Sequence, residues 1–235
     1  MLVDVTEAEV ASCEFSRWSA LFLDEDGNIP SRVIVLSPDF VEYLLADGVF
    51  LPRDVEDEVA EEPGRELVSF PALSRSIQEA IDELGGRVFV KLNWSAPTDA
   101  DWIRHGALRC SCAADVYLLL KSSDRAVFDI EHMYASVRQD ILRPHPVTLV
   151  LRQWKDIQPS MEFRCFVFRR SLVGVCQREC TTCYPFLRRK KTAVTSAISR
   201  FFHSKVYPKF PLDSCKSPAP FDLSKAFISS LSRYL

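Results

Sequence analysis

Residues 91–99, KLNWSAPTD, set an ammonium, an amide, an indole and a hydroxyl within five positions: Lys91, Asn93, Trp94 and Ser95, with Ala96 and Asp99 just beyond. That set suits a phosphorylated ligand with a ring. Lysine meets phosphate as a compact point charge, and a flat indole can lie against a purine or a ribose. The plain alternative is a lysine whose stem covers apolar surface while its head stays in water, because a charge buried alone is expensive. No G-x-x-x-x-G-K-[ST] run and no G-x-G-x-x-G run is present, which removes the P-loop and the dinucleotide fingerprint.

Further polar groups follow. In VLRQW, strand alternation puts Leu151 and Gln153 on one face and Arg152 and Trp154 on the other. Such a pair either stacks structurally or makes this strand the edge against which a base lies; spacing alone does not separate the two. Glu162 and Arg164 share a face by period two, with Arg178 on the next run. They read as a cross-strand salt bridge, worth little if exposed, or as arginines holding phosphate oxygens in a fork. Arg188-Arg189-Lys190-Lys191 is a solvated helical face, a nuclear signal or a contact for an acidic partner. Cysteines at 110, 112, 176, 180 and 183 include one C-x-C and one C-x-x-C, so zinc is a minor alternative to scattered thiols. The histidines at 105, 132, 145 and 203 sit in no nucleophile or zincin motif.

The elements that must position these groups are legible from periodicity. Phe15, Trp18, Leu21 and Phe22 fit one helical face within 12–23. RVIVL (32–36), VFVKL (88–92) and VTLVLRQW (147–154) read as strands, and EFRCFVF with LVGVCQR as a hairpin turning at 169–171. Ser37-Pro38-Asp39 opens a short helix closed by Gly48, and Leu73, Ile77, Ala80, Ile81 and Leu84 line a helix ended by Gly85-Gly86. Residues 113–120 read as a buried helix ending in the KSSD turn. Residues 186–206 are helical, with Val194, Ala197, Ile198, Phe201, Phe202 and Lys205 on one face. An acidic stretch at about 53–68 reads as a loop. Helices and strands mix without regular alternation, so the expected class is α+β.

The totals set limits. With 235 residues and 47% hydrophobic content the chain can bury a core. A net charge of -3 gives no general reason to bind nucleic acid or an anionic membrane. No apolar run approaches a membrane span and the acidic start is no secretory signal, so a cytoplasmic monomer is expected.

The blocks KLNWSAP (91–97), LLLKSSD (118–124), LVLRQW (149–154), EFRCFV (162–167) and GVCQR (174–178), with CEFSRW (13–18), closely resemble the cell-division-cycle protein 123, or D123, family. The resemblance covers about residues 12–210. It implies an ATP-grasp-like, two-lobed fold with mixed or antiparallel sheets. It also implies an assembly chaperone that binds the gamma subunit of eukaryotic translation initiation factor 2, that serves cell-cycle progression through translation, and that holds ATP with magnesium between its lobes. On that resemblance Lys91 would reach the phosphates, and Asn93, Trp94, Ser95 and Ala96 would form the loop over the nucleotide, with Asp99 beside it. Arg152 and Trp154 would lie on the hinge strand framing the adenine, and Arg164 and Arg178 would face the phosphates.

The family's later hairpin, with its D-x-N-P run of magnesium ligands, has no counterpart in the Pro/Ser-rich residues 211–235, which are expected to form at most one short helix and no strand pair. The expectation is therefore one ATP-grasp-like domain over 1–210 with an incomplete C-terminal lobe, a divergent or truncated tail, no metal ligands, and weak or absent magnesium-ATP binding. The expected role is a binding module rather than a turnover enzyme. The alternatives are an ATP-grasp ligase or kinase, or an inactive fragment.

Overall fold

The structure is a computed structural model that describes residues 6–22, 28–55, 68–104, 108–135, 137, 145–168, 170–209 and 221–222. In chain order its elements are α1 (Glu7–Ser12), α2 (Phe15–Trp18), β1 (Ser31–Val35), α3 (Pro38–Leu45), α4 (Pro71–Glu83), β2 (Val88–Leu92), β3 (Arg109–Cys110), α5 (Ala113–Lys121), α6 (Asp124–Glu131), β4 (Thr148–Gln153), β5 (Phe163–Phe168), β6 (Ser171–Gln177), α7 (Pro185–Phe201) and β7 (Phe221–Asp222). They form two compact units: Pro30–Trp154, and Met1–Ile29 together with Lys155–Leu235.

The Pro30–Trp154 unit is a four-stranded sheet in the order β1-β4-β2-β3 with every pairing antiparallel. β4 therefore lies inside the sheet, between β1 and β2. Val88, Val90 and Leu92 pair with Gln153, Leu151 and Leu149, so these residues share a face. That face packs on Phe40, Tyr43, Leu44, Ile77, Ile81, Tyr117 and Leu120 from α3, α4 and α5, all of which are buried. Fully burying a side chain of this size contributes about 1.5–3 kcal/mol, so the helical cover over this face is the main stabilising feature of the unit.

Helix ends explain several polar residues here. Ser37 Oγ accepts from Phe40 N at 3.3 Å and Pro38 occupies the first turn of α3. At the other end of α3 the buried Lys121 donates Nζ to Tyr43 O at 2.5 Å and also to Ala46 O, with Tyr43 and Phe50 rings 5.0 and 5.1 Å away. A cation there satisfies carbonyls that α3 leaves orphaned and suits its negative end. The helix α4 has no capping side chain of its own at Phe70. Asp54 supplies one from a distance, accepting from Phe70 N at 2.7 Å and from Ser69 and Ser74 hydroxyls; Ser74 Oγ in turn meets Tyr117 Oη at 2.8 Å. Part of the expected acidic loop is thus ordered: Arg53–Val55 is a 3₁₀ turn, while 56–67 lies outside the described residues. The KSSD turn does more than end a helix. Ser123 caps α6 through Ala126 N at 3.2 Å, and α6 is an element that periodicity did not reveal.

In the other unit, α1 carries a capping box between Thr6 and Glu9. The expected single helix over 12–23 is instead α2 followed by a 3₁₀ turn over Ser19–Phe22. Phe15, Trp18 and Phe22 still bury and meet edge to face at 4.7 and 6.4 Å, but Leu21 is exposed. β5 and β6 form the expected hairpin, with Arg170 at φ 61 in its turn and a register shift at Phe166/Val167. Val194, Ala197 and Ile198 of α7 pack on Phe163, Cys165 and Val175 of the hairpin. The helix runs into a π turn at Phe202–Val206, where Val206 takes the buried position and Lys205 is only half-buried. β7, a single two-residue strand in the 211–235 tail, pairs antiparallel with β5, Phe166 opposite Asp222. A two-residue strand has too little periodicity to be read from sequence.

Candidate functional site

The sheet register of the Pro30–Trp154 unit decides which polar groups meet. Lys91 pairs with Val150, and Phe89 with Arg152. Paired residues share a face, so Phe89, Lys91, Val150 and Arg152 stand together on the side opposite the helical core. Lys91 and Arg152 are diagonal neighbours there, about 7–8 Å apart at Cα by sheet geometry. Arg109 of β3, opposite Phe89, and Ser31 of β1, opposite Arg152, belong to the same face. Three cations on one face of four strands form a donor set that fits a polyphosphate.

Lys91 does not snorkel. It is 5% exposed, and Nζ donates to the carbonyls of Leu92 at 2.5 Å and Asn93 at 2.8 Å, which bend the chain around the ammonium. Arg152 is buried as well, and that burial pushes its guanidinium down to about 10. Trp154, half-buried, follows the strand end and donates its N–H to Arg87 O at 2.9 Å.

The turn after β2 is held from α6. Asp129, fully buried, accepts from Ser95 N at 2.6 Å and from Trp94 N at 3.2 Å through Oδ2. Leu92 N closes the turn on Ser95 O at 2.9 Å. Asn93 is buried, Ser95 and Ala96 are half-buried, and Trp94 stands edge-on to Tyr134 at 5.7 Å. Asp99 caps the start of α6, where its Oδ1 accepts from Ser123 Oγ at 2.6 Å and its Oδ2 from Arg125 N at 3.0 Å.

Sequence reasoning missed Asp129, the residue that fixes this turn. A signal existed: in DRAVFDIE the carboxylate falls three residues after Ala126, on the helix's buried stripe, where an acid needs a partner. Asp115 has a similar reason for its burial, accepting from Ser111 N at 2.8 Å and Ser111 Oγ at 3.0 Å.

Arg164 and Arg178 lie on the hairpin of the other unit, both exposed. Arg178 Nη1 meets Glu162 Oε2 at 2.8 Å, so Glu162's cross-strand partner is Arg178, while Arg164 pairs in register with Cys176. Among the described residues no group of three or more His, Cys, Asp or Glu is disposed to hold a metal ion, and no helix is long and apolar enough to cross a membrane.

Against known proteins, the D123 family model matches residues 18–222. A Sclerotinia sclerotiorum protein named translation initiation factor eIF2 assembly protein is 35% identical over 229 residues, which is 88% of this chain and 56% of that protein. A Xenopus tropicalis protein of the same name is 36% identical over 225 residues, 86% of this chain and 67% of that one. The chain therefore spans little more than half the length of the first of these relatives. The solved structure of C-terminally truncated Cdc123 from Schizosaccharomyces pombe aligns with a TM-score of 0.75 at 31% identity, covering 89% of this chain and 78% of that one.

Proposed function

The chain belongs to the D123 family, and from that premise we propose that it assists the assembly of translation initiation factor 2 in the cytoplasm by binding that factor's gamma subunit. The observation that supports this reading is the match along nearly the whole chain to relatives that carry the assembly-protein name. We further assign ATP, with magnesium, to the ATP-grasp-like sheet face that bears Lys91 and Arg152. Lys91 and Arg152 would take the phosphates, Trp154 the base, and the 93–96 turn the adjoining side of the nucleotide. When bound, the nucleotide would neutralise these cations and order the groups around them. Affinity is expected to be weak, because Lys91 gives two of its N–H groups to carbonyls and the amides of Trp94 and Ser95 are engaged by Asp129. The chain works as a binding module rather than through turnover.

The test is capture of purified gamma subunit by this chain and by a Lys91→Ala/Trp94→Ala variant, with calorimetry of magnesium-ATP on both. Capture by the parent chain is expected, together with weak nucleotide binding. A soluble, folded chain that captures no gamma subunit would overturn the assembly role, and tight magnesium-ATP binding would overturn the weak-affinity reading.

A further inference from the structure

The helix α7 carries a charge arrangement that its fold does not need. Arg188, Arg189, Lys190 and Lys191 are consecutive, all four are exposed, and none forms an ion pair with a described residue. The 17 residues of α7 include no Asp or Glu. The four cations lie in the second turn, near the end where the helix dipole is already positive, and the cap at Tyr184 contributes no side-chain hydrogen bond. Cations at that end are unfavourable to the helix. By contrast Arg200, at the far end of α7, is placed where the dipole favours it.

The buried stripe of the helix shows that these cations also surround it. Val194, Ala197, Ile198 and Phe201 are buried. Lys190 stands one heptad before Ala197 and Lys191 one heptad before Ile198, so both occupy positions of the apolar stripe, yet both are exposed. Arg188 and Arg189 cover the outer side. Among the described residues, Leu187 alone anchors this part of the helix to the hairpin core. The first turns thus present cations around most of their circumference, beside an edge-to-face Tyr184–Phe186 pair at 6.4 Å with Phe186 exposed.

We propose that this collar is a docking site for an acidic polypeptide segment of a partner protein. A run of Asp or Glu side chains would supply the counter-charges that α7 lacks, and it would relieve the repulsion of four adjacent cations with the positive helix end. A short acidic segment fits better than a nucleic acid. The cations span only about 6 Å of helix, whereas the chain as a whole is net negative at -3 and offers a phosphate backbone no general attraction. This proposal is independent of the nucleotide assignment and of which subunit the chain binds.

The probe is a fluorescein-labelled ten-residue glutamate peptide, titrated by anisotropy with the full chain. Comparison is with a variant carrying Arg188→Gln, Arg189→Gln, Lys190→Gln and Lys191→Gln, and with Arg200→Gln as a control for overall charge. Glutamine keeps comparable helix propensity. The wild type and Arg200→Gln should bind alike and weaken as salt rises, while the fourfold variant should lose about tenfold or more in affinity, as four exposed ion pairs allow. If circular dichroism shows that the fourfold variant has lost helix, the pairs Arg188→Gln/Arg189→Gln and Lys190→Gln/Lys191→Gln replace it, each expected to lose part of the affinity. Equal binding by the glutamine variants and the wild type would overturn the proposal. An oligouridylate of equal charge that binds more tightly than the peptide would overturn the choice of partner.

Discussion

Asp129 ties α6 to the turn after β2. Its Oδ2 takes two backbone amides, Ser95 at 2.6 Å and Trp94 at 3.2 Å, while Oδ1 is buried and accepts no hydrogen bond. Hydrogen bonds to a charged group contribute about 1.5–3 kcal/mol each, so the short one and the longer one together are worth about 3–5 kcal/mol. Against this stands the burial of a carboxylate with one unsatisfied oxygen, whose removal relieves about 1–3 kcal/mol. The bonds win, and Asp129→Ala should destabilise the chain by about 2 kcal/mol, equivalent to about thirtyfold in an equilibrium constant. Asp129→Asn keeps an oxygen for the two amides and no longer buries an anion, so it should stay within about 1 kcal/mol of the parent. Urea denaturation gives the stabilities, and amide hydrogen exchange at Trp94 and Ser95 reads the turn itself. Protection at both amides should fall about thirtyfold in Asp129→Ala and persist in Asp129→Asn. Unchanged stability and protection in Asp129→Ala would refute the assignment. An Asp129→Asn variant as unstable as Asp129→Ala would show that charge, rather than acceptor geometry, holds the turn.

Other predictions follow from helix ends and the glycine behind α4. Lys121→Met should cost about 1–3 kcal/mol, read by thermal denaturation, because the buried Tyr43 carbonyl and the part-buried Ala46 carbonyl lose their donor. Burial lowers the Lys121 pKa, with Asp47 opposing, so the unfolded chain binds this proton more tightly; parent stability relative to Lys121→Met should rise as pH approaches the ordinary value of 10.5. At Asp54, burial acts upward, but hydrogen bonds from Ser74, Phe70 and Ser69 outweigh it and hold the carboxyl below its ordinary 3.8. Its stabilisation is therefore present above that pH and lost as pH falls below it, and Asp54→Asn should flatten that part of the acid titration of stability. Gly85→Ala should cost about 1 kcal/mol in a melting experiment, since Gly85 sits at φ 92 between α4 and β2.

Short-range patterns carry most of the secondary structure. Runs of β-formers in VFVKL and VTLVLRQW, and period two in EFRCFVF, mark strands that recur as β2, β4 and β5. The Leu73–Leu84 spacing with Gly85-Gly86 behind it marks α4 and its stop, because both rest on local backbone preferences. Burial stripes of α7 are legible for the same reason. The sequence also marks Lys91, Asn93 and Trp94 as a cluster, since their proximity is a matter of adjacent residues.

Long-range partners are another matter. That Arg152 shares a face with Lys91 follows from the pairing Lys91↔Val150, and register between strands nearly 60 residues apart cannot be read from either strand alone. That β4 is interior rather than an edge depends on β1 arriving beside it. In the sequence Asp99 reads, through the family resemblance, as an acid beside the nucleotide, and no motif singles out Asp129. Their roles, capping α6 and holding the 94–95 amides, emerge only when α6 packs beside the turn after β2. Local chemistry, which acts over three or four residues, is thus set by the sequence. The choice of partner for each buried charge is made by tertiary packing, which alone decides which donors and acceptors are close enough to exclude water.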